Sequence, residues 1–386
     1  MNTFWFRVLL QLTTFSPEKL LSLSIFTNFA KNLSMKLLKY HFTFSLLLLF
    51  LFNNSFAQEP KKDVLVTCIG FYNIENLFDT IADPDTTKIL QDEFTPKGKS
   101  GWTSERYNEK LNHMSKVIAE LGIEVSPDGV AILGVAEVEN RAVLEDLVKQ
   151  DVIKNRNYQI VHYDSPDKRG IDVGFIYNPN YFKVTSSKSI SLRSIDTTFF
   201  TRDQLLVNGY LNGELIHVIV AHWPSRSGGE KKSRPKRAAA ANLGRIVIDS
   251  ILAIEPNAKI FYMGDLNDDP TDSSVKNQLK TVAQKEEVPK DVLFNPFESY
   301  FKKGIGTLGY NDAWNLFDQI MVSSALTDLD YSTYKYYKAT IFSKPYLINS
   351  SGQYKGYPHR TFAGGAYVGG YSDHFPVYLF LIKEKK

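Results

Sequence analysis

Strand-like runs of β-branched and aromatic residues recur at roughly 64–74, 129–137, 158–163, 171–177, 214–222, 258–264, 316–323 and 375–383, and most end on a polar side chain. Helical patterns lie between some of them. In "TSERYNEKLNHMSKVIAELG" the residues Tyr107, Leu111, Met114, Ile118 and Leu121 step by four and three and so share one helical face. A second helix is predicted near 141–149. A third should follow Pro235, with Leu243, Ile246, Val247 and Ile251 on one face and Pro256 closing the run. Interleaving of this kind, without a Pro/Gly/Ser linker or an internal repeat, predicts one α/β domain. With 386 residues, 43% hydrophobic and 23% charged, the chain has ample material for a core.

The N-terminus reads differently. "MKLLKYHFTFSLLLLFLFNNSFAQEP" begins at Met35, sets Lys36 and Lys39 before an apolar run from Phe42 to Phe52, and places small residues at Ser55 and Ala57. That layout predicts a secretory signal at 35–57 cleaved after Ala57, because the run is short against the ~20 residues that span a bilayer. Residues 1–34 are expected to be a non-structural extension, and 58–386 the folded, exported domain in the periplasm or outside the cell. Five basic residues (Arg7, Lys19, Lys31, Lys36, Lys39) and one acidic residue (Glu18) lie upstream of that cut. The rest is near neutral, so net charge makes no case for a polyanion partner. A single cysteine, Cys68 in "VLVTCIGFY", excludes an intramolecular disulfide and reads as core.

Polar residues cluster at the strand ends. Asn73 and Glu75 stand in "FYNIENLFD", Glu137 in "ILGVAEVEN", Asp172 in "RGIDVGFIY" and His222 in "HVIVAHWPSR". Asp265 and Asn267 follow "IFYMG", Asp318 stands in "NLFDQIMVS", and Asp373 with His374 precedes "FPVYLFL". One carboxylate after a strand is ordinarily a turn former. Many of them in one fold need a cation or hydrogen-bond donors, because unpaired buried carboxylates cost several kcal/mol each. Carboxylate and amide oxygens suit Mg²⁺, Mn²⁺ or Ca²⁺, whereas the common zinc signatures are absent. "DLNDD" from Asp265 is no EF-hand, since Pro270 and Lys276 stand where Gly and Glu are required. "AGGAYVGG" lacks the Lys-Ser/Thr ending of a phosphate-binding P-loop.

The ordered set "NIEN", "AEVEN", "RGIDVGFIY", "AHWPSR", "GDLND", "DQI" and "SDHFPV" resembles the endonuclease/exonuclease/phosphatase superfamily. The resemblance implies a four-layer α/β sandwich, with two mixed, mostly antiparallel β-sheets packed face to face and helices outside. It also implies attack of water on phosphorus, dependent on Mg²⁺ or a similar ion. By the same resemblance Glu137 is the principal metal ligand, with Asn73, Glu75 and Asp373 around the ion. Asp265 orients or deprotonates the water, and Asn267 holds it or a phosphoryl oxygen. His374 binds the phosphate, with Asp318 fixing its tautomer, and His222 stands on the other side of the scissile phosphate. Arg226, Arg169 and Asp172 are the expected substrate-binding residues, and Asp268 and Asp269 are expected only to cap their turn. Nucleic acid is the expected substrate, with a phospholipid head group, an inositol phosphate or a small organophosphate as the alternative; no stable protein partner is implied. In "RSGGEKKSRPKR" the cations Arg234, Lys236 and Arg237 fall at a predicted helix start, where the macrodipole disfavours them, which points to contact with a polyanionic backbone.

Overall fold

The computed structural model describes residues 63–286 and 288–385; the predicted extension and signal segment, residues 1–57, lie outside them. Strands β1 (Val64–Leu77), β2 (Val130–Val138), β3 (Gln159–His162), β4 (Asp172–Tyr177), β14 (Lys335–Ile341) and β17 (Val377–Glu384) form a sheet ordered β14-β17-β1-β2-β4-β3. A second sheet, ordered β5-β6-β7-β8-β13-β10-β9, holds β5 (Phe182–Ile190), β6 (Gln204–Leu211), β7 (Glu214–His222), β8 (Ile260–Asp265), β9 (Thr281–Val282), β10 (Leu293–Phe294) and β13 (Asp318–Ser323). Two short hairpins, β11 (Leu308–Tyr310) with β12 (Ala313–Asn315) and β15 (Phe362–Ala363) with β16 (Ala366–Tyr367), stand apart. Pairing is mostly antiparallel; β1 with β2, β7 with β8 and β9 with β10 run parallel.

Period-two alternation makes the layers. On the inner faces Ile69, Phe71, Ile132 and Phe175 of the first sheet pack against Val218, Val220, Phe261, Met263 and Ile320 of the second. On the outer face of the first sheet Cys68, Tyr72, Leu133 and Val135 meet Leu111, Met114, Val117 and Ile118 of helix α1 (Ser104–Glu120) and Leu144 of α2 (Arg141–Val148). On the outer face of the second sheet Ile219, Ile260 and Tyr262 meet Ala240, Leu243, Val247 and Ile248 of α3 (Glu230–Ile254). The result is helix, sheet, sheet, helix, the four-layer α/β sandwich. Cys68 is fully buried, as its setting predicts, and its thiol is pushed well above the usual range, first by burial.

At Gly134 the two sheets pack closely. A Cβ there would stand 2.7 Å from the Met263 sulfur and 3.1 Å from Val220 Cγ1. Gly134→Val should therefore destabilise the fold by about 1–3 kcal/mol or more. An unchanged urea midpoint would contradict that packing.

Three long strands, β5, β6 and β14, escape the sequence reading. β5 ("FKVTSSKSI") exposes most of its side chains, so it carries little apolar alternation. The third helix also begins earlier than predicted, at Glu230, with Pro235 inside it. Pro235 removes one ladder donor, but the apolar face further along against Tyr262 holds the helix. Among the described residues, no helix is long and apolar enough to cross a membrane.

Candidate active site

The site forms where the ends of both sheets meet. In the second sheet, register aligns three residues across adjacent strands: His222 of β7 opposite Asp265 of β8, and Asp265 opposite Asp318 of β13. In the first sheet a bulge sets Ile74, Glu75 and Asn76 of β1 against Glu137 alone of β2, between the pairs Asn73–Ala136 and Leu77–Val138. Bulges of this kind re-aim side chains next to active sites. The backbone carries the same mark: Glu75 (φ 47°), Asn76 (51°), Glu137 (64°) and Asn267 (50°) all sit in the left-handed region. Such conformations cost about 1–3 kcal/mol each in non-glycine residues and persist where the surroundings impose them.

Asp265 lies at the centre. Its Oδ2 accepts from Asn73 Nδ2 at 3.0 Å, a bond that crosses from one sheet to the other. The same oxygen stands 3.5 Å from His222 Nε2 and 3.8 Å from His374 Nε2. Oδ1 accepts from the Asn267 backbone at 2.9 Å, and Asn267 Nδ2 donates to the Trp223 carbonyl at 3.0 Å. Burial pushes the Asp265 carboxyl up to about 6.

His374 is oriented by Asp318, whose Oδ2 meets its Nδ1 at 2.7 Å and also accepts from Thr307 Oγ1 at 2.5 Å. Burial would lower the His374 pKa, but the Asp318 and Asp265 charges outweigh it and hold the imidazole well above its ordinary range. His222 behaves oppositely: burial first, then Arg202, Arg169 and His374, push it well below its ordinary range. Asp265 is thus flanked by one imidazole whose surroundings favour the proton and one whose surroundings disfavour it. Asp318 Oδ1 and His222 Nδ1 are buried without partners.

The remaining acids converge from the first sheet. Glu137 Oε2 accepts from Asn76 N at 3.1 Å, and Oε1 lies 3.6 Å from Arg169 NH1. Glu75 accepts from Thr361 N at 2.7 Å and from Arg360 Nε at 3.2 Å, and Arg360 NH2 also reaches Asp373 at 2.7 Å. Lys110, 1% exposed on α1, points its Nζ at Glu75 from 3.9 Å. Burial, then Asp373, push Glu75 up to about 7, while burial pulls Lys110 down to about 8.

These donors fit a hard divalent cation. Glu137, Glu75, Asp373 and Asn73 offer oxygens, and Glu137 and Asp373 each accept only one hydrogen bond from the described residues. Burial is the first cause of the raised Glu75 and Asp265 carboxyls, and the charges of Asp373 beside Glu75 and of Asp318 beside Asp265 raise them further, a cost that a bound cation would offset. One ligand-type atom each of Asp265, Asp318 and His374 also lies within 4.8 Å of the others, but His374 Nδ1 is already spent on Asp318 at 2.7 Å, while its Nε2 stands 3.8 Å from Asp265. Because ligands must be deprotonated to hold metal, the gain in Tm on adding Mg²⁺ should be small near pH 5 and grow as pH rises through the raised Glu75 value of about 7. A gain independent of pH would contradict the assignment of these acids.

Two expected substrate contacts have internal partners instead. Arg226 donates to the Asn267 carbonyl at 2.8 Å, spans Asp268, Asp269 and Asp272 with NH2 at 3.4, 3.2 and 2.9 Å, and covers the Phe317 ring at 4.6 Å. Asp172 accepts from Ser165 N at 2.8 Å and lies 3.2 Å from His162 Nε2, so it braces the turn that carries Arg169. Asp268 and Asp269 do more than cap: both are buried, Asp268 pairs with Arg237 at 2.5 Å, and Asp269 accepts from Leu316 N at 2.7 Å. The basic segment is correspondingly depleted. Arg234 pairs with Glu230 at 2.9 Å and Arg237 is fully buried.

Sequence reasoning missed Lys110, Arg360, Thr307 and Arg202. A lysine on the apolar face of α1, three residues after Tyr107 and four before Met114, was a readable signal for the first. Arg360 carries none.

The sequence profile of the endonuclease/exonuclease/phosphatase family matches residues 68–383. The chain belongs to that family, whose members are divalent-metal-dependent hydrolases of phosphoester bonds, and so is this one. No curated protein matches the sequence. Among solved structures it is similar to a mannosyl-6-phosphatase from Bacteroides thetaiotaomicron (15% identity, 82% of this chain and 99% of that one, TM-score 0.49). It is similar also to D. rerio TDP2 complexed with a single-strand DNA product (14% identity, 82% and 98%, TM-score 0.47). A third is TDP2 from Caenorhabditis elegans (17% identity, 82% and 97%, TM-score 0.48).

Proposed function

We propose that the chain is an exported, Mg²⁺-dependent nuclease that hydrolyses phosphodiester bonds by activated water. The observation that carries the reading is the pair of imidazoles flanking Asp265, His222 at 3.5 Å and His374 at 3.8 Å, whose surroundings push their pKa values in opposite directions. A diester keeps substituents on both sides of phosphorus, and a site with a histidine on each flank can address both ester oxygens.

The bound divalent cation would polarise a phosphoryl oxygen and offset its growing charge; Glu137, Glu75, Asp373 and the Asn73 amide would hold it. Asp265 accepts the proton of the attacking water, and Asn267 orients that water or a phosphoryl oxygen. His374, kept protonated by Asp318, donates from Nε2 to the phosphate. General acid–base catalysis contributes only about 10²–10⁴-fold, so donors fixed before substrate arrives must supply much of the rest. Beside the site, a groove of about 730 Å³ runs between Arg226–Glu230 and the β11–β12 hairpin, lined by Leu308, Tyr310, Asn315 and Phe317. Its size and apolar walls suit a nucleobase. The predicted signal at 35–57 supports export.

The test is hydrolysis by the purified chain from residue 58, with Mg²⁺ or with chelator, of DNA, RNA, phospholipids, inositol phosphates and sugar phosphates. Cleavage of polynucleotide that a chelator abolishes is the expected result. Turnover confined to a lipid head group or a small monoester would overturn the nuclease reading in favour of the alternative.

A further inference from the structure

A second pocket, of about 260 Å³, lies beside the candidate active site and is lined by Lys168, Thr201, Arg202, Ser225, Ser227 and Lys236 among others. Three of its lining residues are cations and none is acidic. Lys168 and Lys236 are exposed at its wall, with the Lys168 ammonium 5.2 Å from the Phe200 ring centroid. Arg202 is 5% exposed and Thr201 8% exposed, yet Arg202 Nε and Thr201 Oγ1 have no hydrogen-bond partner. Buried donors left unmade are expensive, and both belong to residues lining a cationic recess.

The pocket is tied to the active site through two shared groups. The Trp223 carbonyl accepts from Arg202 NH2 at 2.5 Å and from Asn267 Nδ2 at 3.0 Å. Asp167 accepts from Arg202 NH1 at 3.0 Å and from the Arg169 backbone at 2.8 Å, and Arg169 reaches Glu137. Arg202 is thus one carbonyl from Asn267 and one carboxylate from Arg169. Asp167 offsets part of its charge from behind, but Lys168 and Lys236 have no carboxylate at the pocket wall.

We propose that this pocket is a second phosphate subsite, which holds the non-scissile phosphate next to the one hydrolysed. The inference rests on the nuclease reading and deepens it: the preferred substrate carries phosphates in series. It also gives Lys236 of the basic segment a ligand, whereas Arg234 and Arg237 are consumed by protein acids.

Lys168→Met/Lys236→Met is the decisive variant, with Thr201→Val as a second that leaves charge unchanged. On an oligodeoxynucleotide the double variant should lose about tenfold or more in kcat/KM, mostly through KM, and the log–log salt dependence should become shallower by about 1 to 2. On bis(p-nitrophenyl) phosphate, which has a single phosphate, activity should stay unchanged. Equal losses on both substrates, or none on the oligonucleotide, would overturn the subsite. Should the wild type hydrolyse bis(p-nitrophenyl) phosphate but no polynucleotide, the nuclease reading alone falls. Calorimetric titration of inorganic phosphate in chelator then decides the pocket. Binding kept in His374→Ala and lost in Lys168→Met/Lys236→Met upholds an anion site, and equal binding in all three proteins removes it.

Discussion

Asp265→Asn is expected to lower kcat by about 10²–10⁴-fold, the range that one acid–base group supplies, without lowering Tm appreciably. The carboxyl is 2% exposed, and burial already disfavours its charge. A neutral amide of the same shape therefore removes a desolvation penalty while losing part of the contact with Asn73 and the two imidazoles. Structure should survive and proton acceptance should not. Turnover at the wild-type rate in a folded Asp265→Asn protein would refute the role of Asp265 at the water.

His374→Ala should cost about 10²–10³-fold in kcat, comparable to losing one preorganised donor to a developing oxyanion. Asp318→Asn tests the orientation separately. Asp318 is the largest influence raising the His374 pKa against the opposing effect of burial. Removing its charge must lower that pKa, so the alkaline limb of the pH–rate profile should move to lower pH. An alkaline limb that stays in place, with only the rate reduced, would leave Asp318 a packing residue.

The strand cores and the strand-end acids were legible in the chain because both are local. Alternation in "IFYMGD" sets Phe261 and Met263 inward and Ile260 and Tyr262 outward whatever the neighbours are. The edge strand β5 was not legible, since a strand whose side chains mostly face water needs no apolar pattern and is held by pairing with β6. Helix α3 shows the same competition. Pro235 reads as a boundary, yet Gly244, where a Cβ would stand 2.5 Å from the Tyr262 ring, lets the helix lie close against the second sheet.

Within the site, motif residues and their partners divide along the same line. Asn73, Glu137, Asp265, Asp318 and His374 stand in the ordered short motifs that carry the family resemblance, and so could be singled out from the sequence. Arg360, which bridges Glu75 and Asp373, could not. Nor could the fate of Arg226 and Arg237, which close onto Asp268, Asp269 and Asp272.

By itself the sequence determined the family, through its ordered motifs, and which face of the main strands and helices is apolar, because both are written locally along the chain. Only the tertiary structure decided which cation answers each acid, in which direction each histidine's pKa moves and which basic residues remain at a pocket wall. Those outcomes depend on burial and on charges brought together from distant segments, where low dielectric makes every unpaired group costly and the nearest partner in space, not in sequence, meets that cost.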